Sequence, residues 1–272
     1  IKKIKVSGDI YKNKPLRNIG GKGLFTKEID QALIDNKIDI AVHSMKDVDS
    51  VIPSSLVIAA VIEREDPREF LLSKTAKNLK ELNINSIIGT SSLRRKAQLQ
   101  SKNPGLIFKE LRGNILKRIE KLNLGEFDAT ILAYAGLKRL GIKTDGFLIG
   151  LDIMLPCVAQ GIVGITVSEK NYQVREIVSI INHQKTLSEL TCERALLTSL
   201  GATCNTPVSG LAKIKNGQIC MQSEVYSLDG KDSYSAQTQG GVADAKIIGS
   251  EAGKKLIDLT PKRIIESWKQ TF

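Results

Sequence analysis

Two hydrophobic periods alternate along this chain, and the switches between them mark its elements. After Gly20-Gly21-Lys22-Gly23, apolar residues recur at Leu24/Phe25, Ile29 and Ala32/Leu33, which predicts an amphipathic helix. Continuous apolar runs at 38–42 and 56–62 read as buried strands, and the opening Ile1-Lys2-Lys3-Ile4-Lys5-Val6 as a basic strand. From 86 onward a βα rhythm sets in, with strands at 86–88, 106–111 and 128–133. Helices carry Leu93, Ala97 and Leu99, then Ile115, Ile119 and Leu122, then 135–140 with Gly141 as a stop. A strand at 162–167 is placed to return to the first sheet, followed by helices at 174–181 and 187–200. The pattern then turns antiparallel. Strands at 208–214 and 218–225 flank Asn216-Gly217, a strong hairpin signal, and a strand at 233–239 and a helix at 246–259 follow.

Polar breaks at Glu63–Arg68 and around Leu155-Pro156 and Ala159-Gln160-Gly161 divide these elements. The expected fold class is α/β: two lobes resembling a periplasmic binding protein, with a central cleft, plus a small C-terminal antiparallel α+β domain. The expected boundaries are 1–63 with 162–182, then 68–157, then 184–272.

Composition narrows the function. Among 272 residues, 40 Lys and Arg against 29 Asp and Glu give a net charge of +11, which calls for an anionic partner or serves solubility. Aromatics are only 4%, and no nucleic-acid-binding motif is present, so small polyanions are preferred over nucleic acid. No run reaches the roughly 18 apolar residues of a membrane span, and no secretory signal opens the chain, so a cytoplasmic location is expected; a monomer is expected as well. The first residue is not Met, which reads as a trimmed chain or a fragment. Cys157, Cys192, Cys204 and Cys220 lack C-x-x-C spacing and read as thiols. His43 and His183 stand far apart, so no metal site is expected. The glycine run at 20–23 fails the Walker spacing, with Leu16 where a glycine is needed.

Candidate chemistry collects at strand ends. In Gly89-Thr90-Ser91-Ser92-Leu93-Arg94-Arg95 the hydroxyls are good helix caps, while two arginines stand in a first turn whose dipole disfavours cations. Solvated surface arginines and an anion site both fit that stretch. Arg112, Arg118 and Arg139 fall on or after the ends of neighbouring strands, which favours an anion cleft. His43-Ser44-Met45-Lys46-Asp47 ends the 38–42 strand, and Cys204 sits in a turn-rich loop, Gly201–Pro207.

These stretches, with Leu111-Arg112-Gly113-Asn114 and Ala135-Gly136-Leu137-Lys138-Arg139-Leu140-Gly141, resemble the porphobilinogen deaminase (hydroxymethylbilane synthase) family in family order along nearly the whole chain. The resemblance implies a transferase of tetrapyrrole synthesis. It joins four porphobilinogen units head to tail, releasing ammonia, to give hydroxymethylbilane on a dipyrromethane primer. That primer would be held as a thioether on Cys204. By motif match, Asp47 is the catalytic carboxylate. Cys204, Lys46, Asp47, Ser92, Arg94, Arg95 and Arg118 hold the cofactor; Arg112, Arg118, Arg139 and Phe25 face the substrate. Each pyrrole bears acetate and propionate, which the planar guanidinium grips in charge-assisted pairs worth roughly 1.5–3 kcal/mol each. The family's N-terminal strand and helix have no counterpart ahead of Ile1. Asp49 replaces a usual Pro, Ala202-Thr203 a usual Gly-Gly, and Ala159 a usual Gly. A truncated relative that only binds anions is the alternative the sequence leaves open.

Overall fold

The computed structural model describes residues 1–6, 23, 26–203 and 206–269. In chain order these hold α1 (Lys27–Ile34), β1 (Ala41–Ser44), β2 (Leu56–Val61), β3 (Glu69–Ser73), β4 (Ile87–Gly89) and α2 (Leu93–Lys102). Then come β5 (Ile107–Lys109), α3 (Ile115–Asn123), β6 (Ala129–Ala133), α4 (Tyr134–Arg139), β7 (Phe147–Leu148), β8 (Val163–Ser168) and α5 (Tyr172–Ser179). The chain continues through α6 (Gln184–Leu200), β9 (Val208–Lys215), β10 (Gln218–Tyr226), β11 (Ser233–Gly241), α7 (Ala245–Leu259) and α8 (Lys262–Lys269).

Local chemistry sets many of the ends. Ser92, Asn114 and Asn171 cap α2, α3 and α5, their side-chain oxygens accepting from the amides of Arg95, Lys117 and Val174. Asn216 (φ 50°) and Gly217 (φ 75°) are both left-handed, as a two-residue type I′ hairpin turn requires.

Three sheets result. The first has the order β1-β8-β2, so that β8, arriving from far along the chain, lies between two early strands and antiparallel to both. In the second, ordered β5-β4-β6-β3-β7, β4 runs parallel to β5 and β6, while β3 runs antiparallel to β6 and β7. The third is the meander β11-β10-β9. The second sheet is apolar on both faces, with Leu71, Ile88 and Ile131 in one cluster and Phe70, Leu72 and Leu132 in the other. The core of the third unit is larger. It packs Leu196, Met221, Ala252 and Leu256 together with Met45, Val48, Val158 and Ile162, which belong to the crossings and to the turn after β1.

Four elements depart from the sequence expectation, one being the two-residue β7 that pairs with β3. Residues 1–6 form no strand: within them only Val6 is buried, and the lysine-flanked stretch finds no pairing edge among the described residues. β3 was masked by the polar connector leading into it, although Phe70-Leu71-Leu72 is a buried apolar run. The short α8 was also unanticipated; its Ile264 and Trp268 close the core of the third unit.

The two crossings touch. The Glu65 amide donates to the Gly161 carbonyl (3.0 Å) and Gln160 Nε2 to the Pro67 carbonyl (2.8 Å). Gly161 has φ 86°, and a Cβ there would collide with the Glu65 carbonyl, so only glycine fits this crossing.

Candidate active site between the sheets

β1 runs out into a single 3-10 turn, Met45–Asp47. Met45 and Val48 insert into the core, which leaves Lys46 and Asp47 on the open side of the turn. Asp47 is reached by solvent, yet protein surrounds it closely enough that desolvation is the leading influence on its carboxyl. That pushes its pKa up, while Lys46, Arg118 and His43 draw it back. Arg118 approaches from the second sheet, on α3, so Asp47 and Arg118 couple two different sheets.

Arg118 donates from Nε to the Gly113 carbonyl (2.8 Å). Burial, then Arg95 and Arg112 as like charges, lower its pKa to about 10 against the pull of Asp47. A guanidinium that loses affinity for its proton beside two others marks a local excess of positive charge. Arg112 sits on the same wall, its Nε 3.3 Å from a Glu110 carboxyl oxygen.

Arg94 and Arg95 are not surface arginines. Both are buried, and both pair with Glu69 on β3: Arg94 Nη2 with Oε1 (2.5 Å) and Arg95 Nη2 with Oε2 (2.8 Å). Arg94 Nη1 donates in addition to Gln98 Oε1 and to the Leu155 carbonyl. Burial alone would raise the Glu69 carboxyl, but Arg95 and Arg94 override it and hold it at about 2. The charge set against the helix dipole thus has an internal partner, which the sequence reading did not identify. The Nε atoms of Arg94 and Arg95 are buried without a hydrogen-bond partner. Ser92 uses its hydroxyl oxygen on the Arg95 amide (3.3 Å), so its observed contact holds the helix start.

Arg139 lies apart from this group and donates from Nη2 to the Gly161 carbonyl at the crossing (2.8 Å). Phe25 and Cys204 lie outside the described residues. Sequence reasoning also missed Glu193 on α6, wholly buried, whose carboxylate takes Arg64 from one crossing and the amides of Ala159 and Ala212. Its only sequence signal is Glu189 one turn earlier, likewise buried in the same helix.

Arg118, with Arg95 and Arg112 as like-charged neighbours and the accessible carboxylate of Asp47 in reach, fits a ligand bearing several carboxylates. The donor set therefore suits a dipyrromethane carrying acetate and propionate side chains.

Asp47 and Arg118, brought together from two different sheets with Lys46 beside them, define a site for an anionic ligand. Comparison with known proteins is specific. A family model described as "Porphobilinogen deaminase, dipyromethane cofactor binding domain" matches residues 1–176, and one described as "Porphobilinogen deaminase, C-terminal domain" matches 187–258. The chain belongs to the porphobilinogen deaminase family. It is 52% identical over 204 residues to the porphobilinogen deaminase of Rickettsia akari (strain Hartford), covering 74% of this chain and 68% of that one. Among solved structures, it overlays on a putative methionine-binding lipoprotein of Bacillus subtilis with a TM-score of 0.39 at 16% identity, over 58% of this chain and 75% of the other. A putative lipoprotein of Actinomyces odontolyticus gives 0.38 at 15% identity, over 60% and 74%.

Proposed function

We propose that this chain joins four porphobilinogen units, with release of ammonia, into hydroxymethylbilane, working on a dipyrromethane primer attached through a thioether to Cys204. Family membership supports the reaction, and Arg118 reaching Asp47 from the second sheet, with Lys46 beside it, is the observation that carries the site. We read the first sheet with its helices as one lobe (1–63 and 162–182), the second as another (68–157), and 184–272 as the unit that presents the primer.

When bound, the primer supplies a pyrrole carbon as nucleophile. The chain's own residues do the rest. Arg95, Arg112 and Arg118 bind ring carboxylates and so orient the rings, and Lys46 adds a cation beside Asp47. Asp47 faces the ring nitrogens, holds positive charge there and moves the proton that each coupling releases. A positioned acid–base group of this kind contributes roughly 10²–10⁴-fold. Its raised pKa brings it nearer the working pH than an ordinary aspartate. Arg94 supports Arg95 through their shared Glu69. Arg139 acts at the substrate side from the crossing, and Phe25 supplies apolar contact. Cys204 would hold the primer as a thioether, its thiolate taking the methylene carbon from which the amino group departs as ammonia.

The test is intact mass. Expressed with porphobilinogen available, the wild-type chain is heavier than its sequence mass by one dipyrromethane, and Cys204→Ser has the bare mass. A bare wild-type chain would leave only the anion-binding reading.

A further inference from the structure

The turn that carries Asp47 is held from outside its own lobe. Arg194, in the middle of α6, donates from Nη2 to the carbonyls of Asp49 (2.6 Å) and Ser50 (3.0 Å) and from Nη1 to that of Val48 (3.4 Å). These are three successive carbonyls, beginning at the residue after Asp47. On the other side, Met45 and Val48 are packed into the core that contains Cys192 and Leu196 of the same helix. The 3-10 turn is therefore clamped between an apolar socket and a guanidinium, both supplied by α6.

The helix itself is a lever. It runs 17 residues to Leu200 and is stopped by Gly201 in the left-handed conformation (φ 63°). Cys204 follows four residues past its end. One helix thus grips the backbone behind the proposed catalytic carboxylate and ends four residues before Cys204 in the sequence. The planar fork of arginine is the side chain suited to spanning several acceptors at once; an ammonium is a point charge.

We propose that Arg194 is a positioning residue for the reaction: it fixes the Asp47 turn to α6, the helix that precedes Cys204 in the sequence. The inference rests on the reading of Asp47 as the proton-handling group. Arg194 touches neither substrate nor primer in this account. A displacement of about 1 Å at a catalytic group can cost about 10²-fold in rate, so losing the clamp acts on turnover rather than on carboxylate binding.

The experiment compares holoenzymes of wild type, Arg194→Met, Arg194→Lys and Asp47→Asn. Intact mass establishes primer loading, thermal melting the folded fraction, steady-state kinetics kcat and KM, and peptide-resolved hydrogen exchange the 46–51 segment. Arg194→Met is expected to keep its primer, lower kcat by about 10–100-fold with KM within about twofold, and speed exchange in 46–51 selectively. Arg194→Lys falls between it and wild type on both readouts. Wild-type kcat in Arg194→Met, a rate loss that only follows the unfolded fraction, or unaltered exchange in 46–51 overturns the proposal. If Arg194→Met does not fold, Arg194→Lys carries the test, and wild-type kcat there overturns it. Wild-type turnover in Asp47→Asn defeats the underlying reading of Asp47 instead, and a selective exchange change in Arg194→Met identifies that case.

Discussion

Asp47 is placed where two demands conflict. In the role proposed for it, it must be accessible to the pyrrole nitrogens and lie deep enough that water does not screen the charge it stabilises. The structure meets both by setting an exposed side chain inside a wall of protein, which raises its pKa. A carboxyl whose folded pKa lies above its unfolded value disfavours its ionised form in the folded state, so above that pKa the charge works against stability. Asp47→Asn is therefore expected to melt at or above the wild-type temperature while kcat falls by about 10²–10⁴-fold. The acid limb of the wild-type kcat profile should lie above the 3.8 of an ordinary aspartate and vanish in the variant. Melting curves and a pH–rate series check this; a lower melting temperature would show that the carboxylate is instead a net stabiliser.

At the scale of elements, the pairing of β3 with α2 decides how the arginine wall is built. The α2 start was legible locally, since Ser92 caps it as its position in the sequence implies. The role of Arg94 and Arg95 was not, because Glu69 follows a polar connector and reads as one more solvated charge. Only the sheet, by setting β3 beside β6 and β6 beside β4, brings that carboxylate under the helix. Removing one partner of a buried ion cluster leaves uncompensated charge and typically costs about 3–5 kcal/mol. Glu69→Gln should lose stability on that scale near neutral pH. The folded pKa of Glu69 is depressed to about 2 from 4.5, so its contribution is full above the unfolded value and drains away as pH falls from 4.5 toward 2. Denaturant unfolding at a series of pH values should show the gap between wild type and variant narrowing across that window.

At the scale of the whole molecule, the crossings, the Asp47 turn and the third unit share one core, and Glu193 is its polar centre. Four donors converge on its two oxygens: two from Arg64, one amide from Ala159 at the crossing and one from Ala212 on β9. Glu193→Gln substitutes an amide nitrogen for one acceptor and leaves Arg64 only the more distant Glu189 (4.0 Å) as counter-charge, which is expected to cost about 3–5 kcal/mol by chemical denaturation. Because the lesion sits between units, unfolding should also lose coincidence between probes of the third unit and probes of the second sheet. A single superimposable transition at wild-type stability would contradict that account.

Short-range patterns in this chain were enough to place most strands and helices, the type I′ hairpin, the caps and the arginine-bearing strand ends. Each depends on residues within a turn or two of one another. The resemblance of its motifs pointed to the family before any coordinates. What needed the folded chain were the partners of buried charge: Glu69 for two arginines 25 and 26 residues on, Glu193 for Arg64 across 129 residues, and Arg194 for carbonyls 144–146 residues away. A buried ionic group carries no periodic signature of its own. It becomes tolerable only when a distant element delivers its counter-charge, and that delivery is decided by how the sheets and α6 pack.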